Sequence, residues 1–327
     1  MYNVSNDKAI KIGATTFSEL NYKESDIEEL LRKNIDMICD EEESMLIVGK
    51  QVRNAQHGIS DLTAVDNKGN IVLVEIKRDR KDIEARKEAF EFQAIRYAAS
   101  YATIEDPEDL VNKIYAPYIE KYRSEFESGL LTSVELGARK LTEFLRENGA
   151  ESNFNKNQKI ILVASDYDEQ TLSAVAWLNS NNVDITCFKM IPFKIQDEVY
   201  INIEKILPVN TYKDYYVNFL DSPIKSRQKK GFTRRTLPKI NEMLEWGVVK
   251  AGDIIVAKGR DDEGTLLANG NVEVNGEEIS MQKWLKELFG WSSIQTYVFA
   301  VHKETGKTLS QIREEYMDSE QSVREEI

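Results

Sequence analysis

Cysteine and histidine are nearly absent from this chain. Two cysteines, Cys39 and Cys187, and two histidines, His57 and His302, occur among 327 residues. The cysteines lie far apart and offer no metal-ligand spacing. So few thiols suit a reducing compartment, and a cytoplasmic location is expected. Two histidines are too few for a histidine-rich metal site, so any metal is expected to be a hard cation held by oxygen. Long apolar runs are also missing. None approaches the roughly 20 residues of a membrane span, and the opening MYNVSNDKAIKIG lacks the basic-then-apolar layout of a signal peptide. No membrane partner is expected.

What is present suits a soluble chain of two domains: 41% hydrophobic residues and 30% charged residues over this length. The formal net charge of −13 speaks against simple electrostatic capture of nucleic acid. The charge is unevenly spread. Residues 221–240 carry a net +6 and residues 313–327 a net −4. A local basic strip is enough for an acidic protein to bind DNA.

The densest chemistry lies in SDLTAVDNKGNIVLVEIKRDR, residues 60–80. It reads as two strands, Asp61–Val65 and Ile71–Lys77, joined by the polar loop of residues 66–70. With Val65 paired to Ile71, Asp61 falls opposite Glu75, at the roughly 4.5–5.5 Å Cβ spacing of cross-strand partners. Two carboxylates so placed repel unless a divalent cation lies between them. Lys77 shares the Glu75 face by the strand period of two. Leu62, Ala64, Val72, Val74 and Ile76 fill the other face, while Ile71 and Leu73 are apolar on the Glu75 face. The second strand therefore reads as buried on both sides, as in an α/β sheet. Two acids and a lysine around one point suit metal-assisted cleavage of a phosphodiester. A bare D-x13-E-x-K string is a weak signal by itself, because charges at strand ends are common.

These residues resemble the PD-(D/E)XK nuclease superfamily, closest to its NucS-type branch. The likeness extends beyond the triad. ESDIEELLRKNIDMI, residues 24–38, is similar to the family's first helix, and LIVGKQV, residues 46–52, to the strand after it. FEFQAIRYAASYA, residues 90–102, carries Gln93 where many relatives place a glutamine. KIILVASDYDEQTLSAVAWLNSNNVDITCFKMIPF resembles the strand–helix–strand that closes the core. Ser60 departs from the proline of the family name. The resemblance implies a restriction-endonuclease-like fold: an α/β mixed sheet flanked by helices over residues 1–208, with residues 107–147 a helical elaboration. It implies Asp61, Glu75, Lys77 and Gln93 as catalytic residues. Mg²⁺ would be held by Asp61, Glu75, the Ile76 carbonyl and Glu24, and Mn²⁺ would substitute. Glu24 fits the helix position best, with Glu28 and Glu29 as alternatives that could equally be favouring the helix N-terminus.

Other segments carry less. Tyr115, Tyr118 and Tyr122 read as core packing. Asp166 and Asp168 read as helix-capping acids. Residues 78–86 read as a charged helical stretch running into the Gln93 helix. Residues 209–236 read as a basic linker. Residues 237–318 form a small α+β unit with tight Gly and Asn turns. In WGVVKAGDII, NGNVEVNG and ISMQKWLKELFG this unit resembles the RAMA module, which implies DNA recognition, modified DNA included. Most of its rings, Trp284, Phe289, Trp291, Tyr297 and Phe299, are expected in the core, with one or two left exposed to stack on a base. Residues 319–327 read as an acidic tail. The expected function is a Mg²⁺-dependent DNA endonuclease, homodimeric, acting in defence against foreign DNA. The alternatives are a non-cleaving DNA-binding protein on the same fold, and a nuclease for single strands, flaps or RNA.

Overall fold

The computed structural model describes residues 1–5, 7–40, 42–56, 58–85, 88–126, 129–209 and 237–325. The basic strip of the expected linker lies outside the described residues. The chain forms two compact units, Met1–Ile38 with Met45–Val209, and Cys39–Ser44 with Asn210–Ile327.

The first unit opens with an antiparallel hairpin, β1 (Tyr2–Ser5) and β2 (Lys8–Lys11), followed by α1 (Glu24–Lys33). A helix through residue 38 was expected. Instead α1 stops at Asn34, whose backbone N–H and side-chain amide both donate to the Leu30 carbonyl, and a 3-10 turn covers Ile35–Ile38. Asparagine competes with the helix for its own backbone partners, which makes it an effective terminator. The strands β3 (Met45–Arg53), β4 (Ile59–Asp66) and β5 (Ile71–Lys77) then form an antiparallel meander.

After β5 the expected continuous helix is broken into two. Asp79 caps α2 (Arg80–Glu84), and α3 (Phe90–Tyr101) starts anew after Ala89. The buried Asp79 carboxylate fixes where α2 starts, not where it ends. It is already committed to the backbone N–H groups of Phe17 and Ser18 and to the Ser165 hydroxyl, which pins the chain just past β5. The elaboration holds α4 (Pro107–Leu110), a π-helical turn (Val111–Tyr115), α5 (Ala116–Lys121) and α6 (Ser133–Glu147). A reciprocal Thr132–Glu135 capping box starts α6. The tyrosines pack as expected: Tyr118 lies 4.9 Å from Tyr122, and Arg32 stands 4.1 Å over the Tyr122 ring.

The unit closes with β6 (Gln158–Ala164), α7 (Glu169–Ser180), β7 (Ile185–Ile195) and β8 (Glu198–Leu207). The six-stranded sheet has the order β3-β4-β5-β6-β7-β8, with β5, β6 and β7 parallel and the other neighbours antiparallel. It is thus a mixed sheet with β5 near its centre, and residues 71–76 of β5 are all buried. Asp168 caps α7 through Thr171 N–H. Asp166 does not cap. It pairs with Lys189 at 2.8 Å and lies 3.7 Å from Arg80, because two cations reach it from neighbouring elements.

The second unit contains α8 (Ile240–Glu245), β9 (Ile254–Ala257), β10 (Glu263–Leu266), β11 (Val272–Val274), β12 (Glu277–Ile279), α9 (Met281–Phe289), α10 (Thr296–Phe299), β13 (Ala300–His302), β14 (Lys307–Thr308) and α11 (Leu309–Glu325). Its sheet is antiparallel, in the order β12-β11-β10-β9-β13-β14. The start of the expected acidic tail is helical, as the end of α11. The expectation of exposed rings fails here. All five aromatics are buried, and Phe289, Trp291 and Phe299 pack mutually at 4.9–5.1 Å. A domain this small has few other large apolar groups to bury. Among the described residues no helix is long and apolar enough to cross a membrane.

Candidate metal centre at the end of the central strands

The hairpin register agrees with the one inferred from sequence. Val65 pairs with Ile71 and Leu62 with Val74, and Asp61 and Glu75 are the residues next beyond that last pair. The connecting turn is self-supporting. Asp66 accepts hydrogen bonds from Lys68 N–H, Asn70 N–H and the Asn70 amide at 2.9–3.0 Å. At the other end of the hairpin, Asp61 Oδ2 accepts the Ile76 N–H at 2.7 Å.

Helix α1 adds the remaining acids. Glu24 and Glu28 are one helical turn apart and share a face. One oxygen each of Glu24, Glu28 and Asp61 lie within 4.8 Å of one another. Lys77 joins the cluster. Its Nζ donates to Glu24 Oε1 at 3.2 Å and to the Ile76 carbonyl at 2.9 Å, and sits 3.8 Å from Glu75 Oε1. The Ile76 carbonyl, expected to face a metal, thus accepts from the Lys77 ammonium in this state. Glu28 is held from β3, where the Gln51 amide donates to its Oε2 at 3.0 Å and Lys50 approaches to 3.9 Å. Gln51 adopts a left-handed backbone, φ 54°, a conformation costly for a non-glycine residue. Glu29, the third candidate acid, turns away from the trio to Arg32 and Lys50, at 2.7 Å from each.

The electrostatics are those of a crowded anionic pocket. Burial pushes the Asp61 carboxyl up, and Glu28 and Glu24 add to this against the Lys77 charge and the Ile76 N–H. Burial also raises Glu75, reinforced by Asp61. Glu28 is raised chiefly by burial. For Lys77 burial works downward, but the charges of Asp61, Glu24 and Glu75 prevail and keep the ammonium protonated. Glu75 is only 1% exposed, and neither of its carboxylate oxygens has a hydrogen-bond partner. Buried carboxylates are normally paired, hydrogen-bonded or bound to metal. The all-oxygen trio of Asp61, Glu24 and Glu28 fits a hard divalent cation; Glu75 lies outside that trio, without a hydrogen bond and 3.8 Å from the Lys77 ammonium.

Gln93 is placed apart from this cluster. Its amide donates to the Tyr97 hydroxyl at 3.2 Å, and that hydroxyl accepts the Ile59 N–H. Glu28 and Gln51 emerge as members the sequence reading did not favour. Glu28 was detectable as a face-mate of Glu24, one helical turn on. Gln51 carried no signal, because it reaches Glu28 across 23 residues of chain. No protein-family model, no curated protein and no solved structure matches the chain.

Proposed function

We propose that the chain is a divalent-metal-dependent DNA endonuclease of restriction-endonuclease-like, PD-(D/E)XK type. The observation that carries this is the trio of Glu24, Glu28 and Asp61 oxygens within 4.8 Å of one another, with the buried Glu75 carboxylate and the Lys77 ammonium beside it. A non-cleaving DNA binder has no use for such an arrangement. Asp61 and Glu75, with Glu24 and Glu28 from α1, would hold Mg²⁺ or Mn²⁺. The bound cation supplies a lowered pKa for water and polarisation of a phosphoryl oxygen.

The remaining chemistry belongs to the side chains. Lys77, charged and nine-tenths buried, is poised to exchange its contacts with Glu24 and the Ile76 carbonyl for a phosphate oxygen. There it would stabilise the negative charge that develops in the transition state. The Ile76 N–H fixes Asp61, and the Gln51 amide fixes Glu28, so the acids are oriented before substrate arrives. Cutting both strands of a duplex needs two such sites, hence a homodimer. DNA choice is assigned to the RAMA-like residues 237–318. With all five rings buried, the described part of that unit would act through cations and backbone rather than stacking. A cytoplasmic role in defence against foreign DNA completes the reading.

The test is a cleavage series on duplex, single-stranded, flap and RNA substrates with Mg²⁺, Mn²⁺ or EDTA, using wild type and Glu75→Ala. Metal-dependent DNA cutting lost in the variant is expected. Equal activity of the two proteins would remove this site from consideration. Activity on RNA alone would reassign the substrate.

A further inference from the structure

A cavity of about 490 Å³ opens between the end of β3, the β3–β4 turn, α3 and the π-helical turn. It lies in the range of small-ligand sites. Its inner wall is Tyr101, whose hydroxyl sits 2.6 Å from both Ser60 Oγ and Thr63 Oγ1. Those two residues bracket Asp61 in β4. Tyr97 forms a second aromatic wall, packed so closely on Gly58 that a Cβ there would come within 2.5 Å of the ring. The half-buried Asn54 is held in place by the backbone N–H groups of Gln56 and Gly58, and its amide nitrogen donates to Ser100 Oγ at 3.3 Å.

The lining is unusual for this protein. The chain carries −13 overall, yet none of the described residues lining the cavity is a carboxylate; Arg53 lines it, and so does Lys113, whose ammonium pairs with Asp109 at 2.6 Å. Aromatic walls, fixed amide and hydroxyl groups and the Arg53 guanidinium describe a site for a flat, hydrogen-bonding body that carries negative charge. That is a nucleotide. The cavity connects to the acids through Tyr101, whose hydroxyl bonds Thr63 and lies within electrostatic reach of Glu75 and Asp61.

We propose that this cavity holds one unstacked nucleobase of the substrate strand, with Arg53 on its phosphate, and so sets which phosphodiester meets the carboxylates. This rests on the nuclease reading for the identity of the strand. It also gives Gln93 a task. Through its hydrogen bond to the Tyr97 hydroxyl it is a positioning residue for the cavity wall, not a catalytic one. The substrate class that follows is DNA able to expose a base: single strands, junctions or distorted duplex.

The test is an abasic scan. A short single-stranded oligonucleotide is made with one base removed at each position in turn, and its binding to the full chain is measured in EDTA. One position should lose affinity by on the order of tenfold, the scale of one base–aromatic contact, and the others little. In Mg²⁺ that position should adjoin the cut bond. Ser100→Phe, which fills the cavity, should flatten the scan. Arg53→Ala, at an exposed position with no folding cost, should weaken every oligonucleotide alike and reduce the salt slope by about one. A flat scan with wild type, an unchanged scan with Ser100→Phe of native circular dichroism, or an unchanged affinity with Arg53→Ala would overturn the proposal. Cleavage with a flat scan sinks the cavity alone. A positional scan without cleavage sinks the catalytic reading alone.

Discussion

Glu75 stands in a conflict between folding and function. Its carboxylate is buried without a hydrogen bond, in a protein that must fold before any cation arrives. Leaving such a group unsatisfied costs on the order of 1–3 kcal/mol, and more when it is charged. Burial pushes the Glu75 pKa up to about 9, so at pH 8 the folded protein keeps a proton that the unfolded chain releases, and Glu75→Gln removes that titration at constant shape. The metal-free variant should therefore be more stable than wild type by on the order of 1–3 kcal/mol at pH 8, while cleavage should fall at least ~100-fold. Denaturant titration and a cleavage assay read the two effects, and a destabilised variant would show that the ionised carboxylate is already compensated.

The same residues predict a pH profile. Asp61, Glu75 and Glu28 have folded pKa values raised above their unfolded ones. Their contribution is fully present below the unfolded values near 4 and is lost as pH rises through the folded values. Glu29 runs the other way. Its bonds to Arg32 pull its pKa down to about 2, helped by Lys50 and opposed by burial. Its contribution holds above 4.5 and is lost as pH falls toward 2. Metal-free protein should thus melt highest near pH 5 and lose stability toward pH 8. Saturating Mg²⁺ should cancel most of the loss on the alkaline side. A melting temperature that rises steadily from pH 5 to 8 without metal would contradict the burial of these acids.

At the scale of elements, the site depends on one turn. Gly69 sits in the β4–β5 loop at φ +85°, and an added Cβ would stand 3.0 Å from the Ala150 carbonyl oxygen and 3.3 Å from Asn153 backbone. Neither neighbour is a flexible side chain that could step aside. Gly69→Ala should destabilise the protein by about 1–3 kcal/mol, combining left-handed strain with the clash, and should lower metal affinity by loosening the Asp61–Glu75 end of the hairpin. Calorimetry of folding and of Mn²⁺ binding measures both, and wild-type values would show that the turn tolerates a side chain. This hairpin was legible in the sequence because it is local: alternation gives the faces, and Gly69 with Asn70 gives the turn. Strand β5 was legible as buried on both sides because its apolar residues ignore the period of two. What could not be read was long-range. Gln51 reaches Glu28 across 23 residues of chain, and the Tyr97 hydroxyl, a local i,i+4 partner of Gln93, is also tied to the distant Ile59 N–H. The overlong α1 shows the limit of periodicity, since Ile35 and Ile38 continue the apolar stripe past the point where Asn34 ends the helix.

The whole molecule has two cores, and each should report its own stability. In the first unit the site lies between α1 and the central strands, so a cation there would bind only folded protein. At a concentration near 100 Kd such binding adds about 2.7 kcal/mol, or roughly 5–10 °C for a domain of this size. The second unit has no part in the trio of close carboxylates. Its own keystone is Arg313, 1% exposed, which donates to the Pro238 carbonyl at 3.2 Å and to Glu42 at 2.9 Å and stands 4.7 Å over the Tyr297 ring. Glu42 belongs to Cys39–Ser44, the short segment that clusters with this unit. Truncating one partner of a buried ion pair costs about 3–5 kcal/mol; Glu42 keeps some exposure, so the lower end applies. Scanning calorimetry of the full chain should show two transitions. Mn²⁺ should raise one and leave the other in place, Arg313→Ala should lower the other by ~10 °C or more, and Asp61→Ala should abolish the response to metal without moving the Arg313-dependent transition. A single transition that shifts with both metal and Arg313→Ala would mean that the two units fold as one, and would make metal binding and the C-terminal unit energetically coupled.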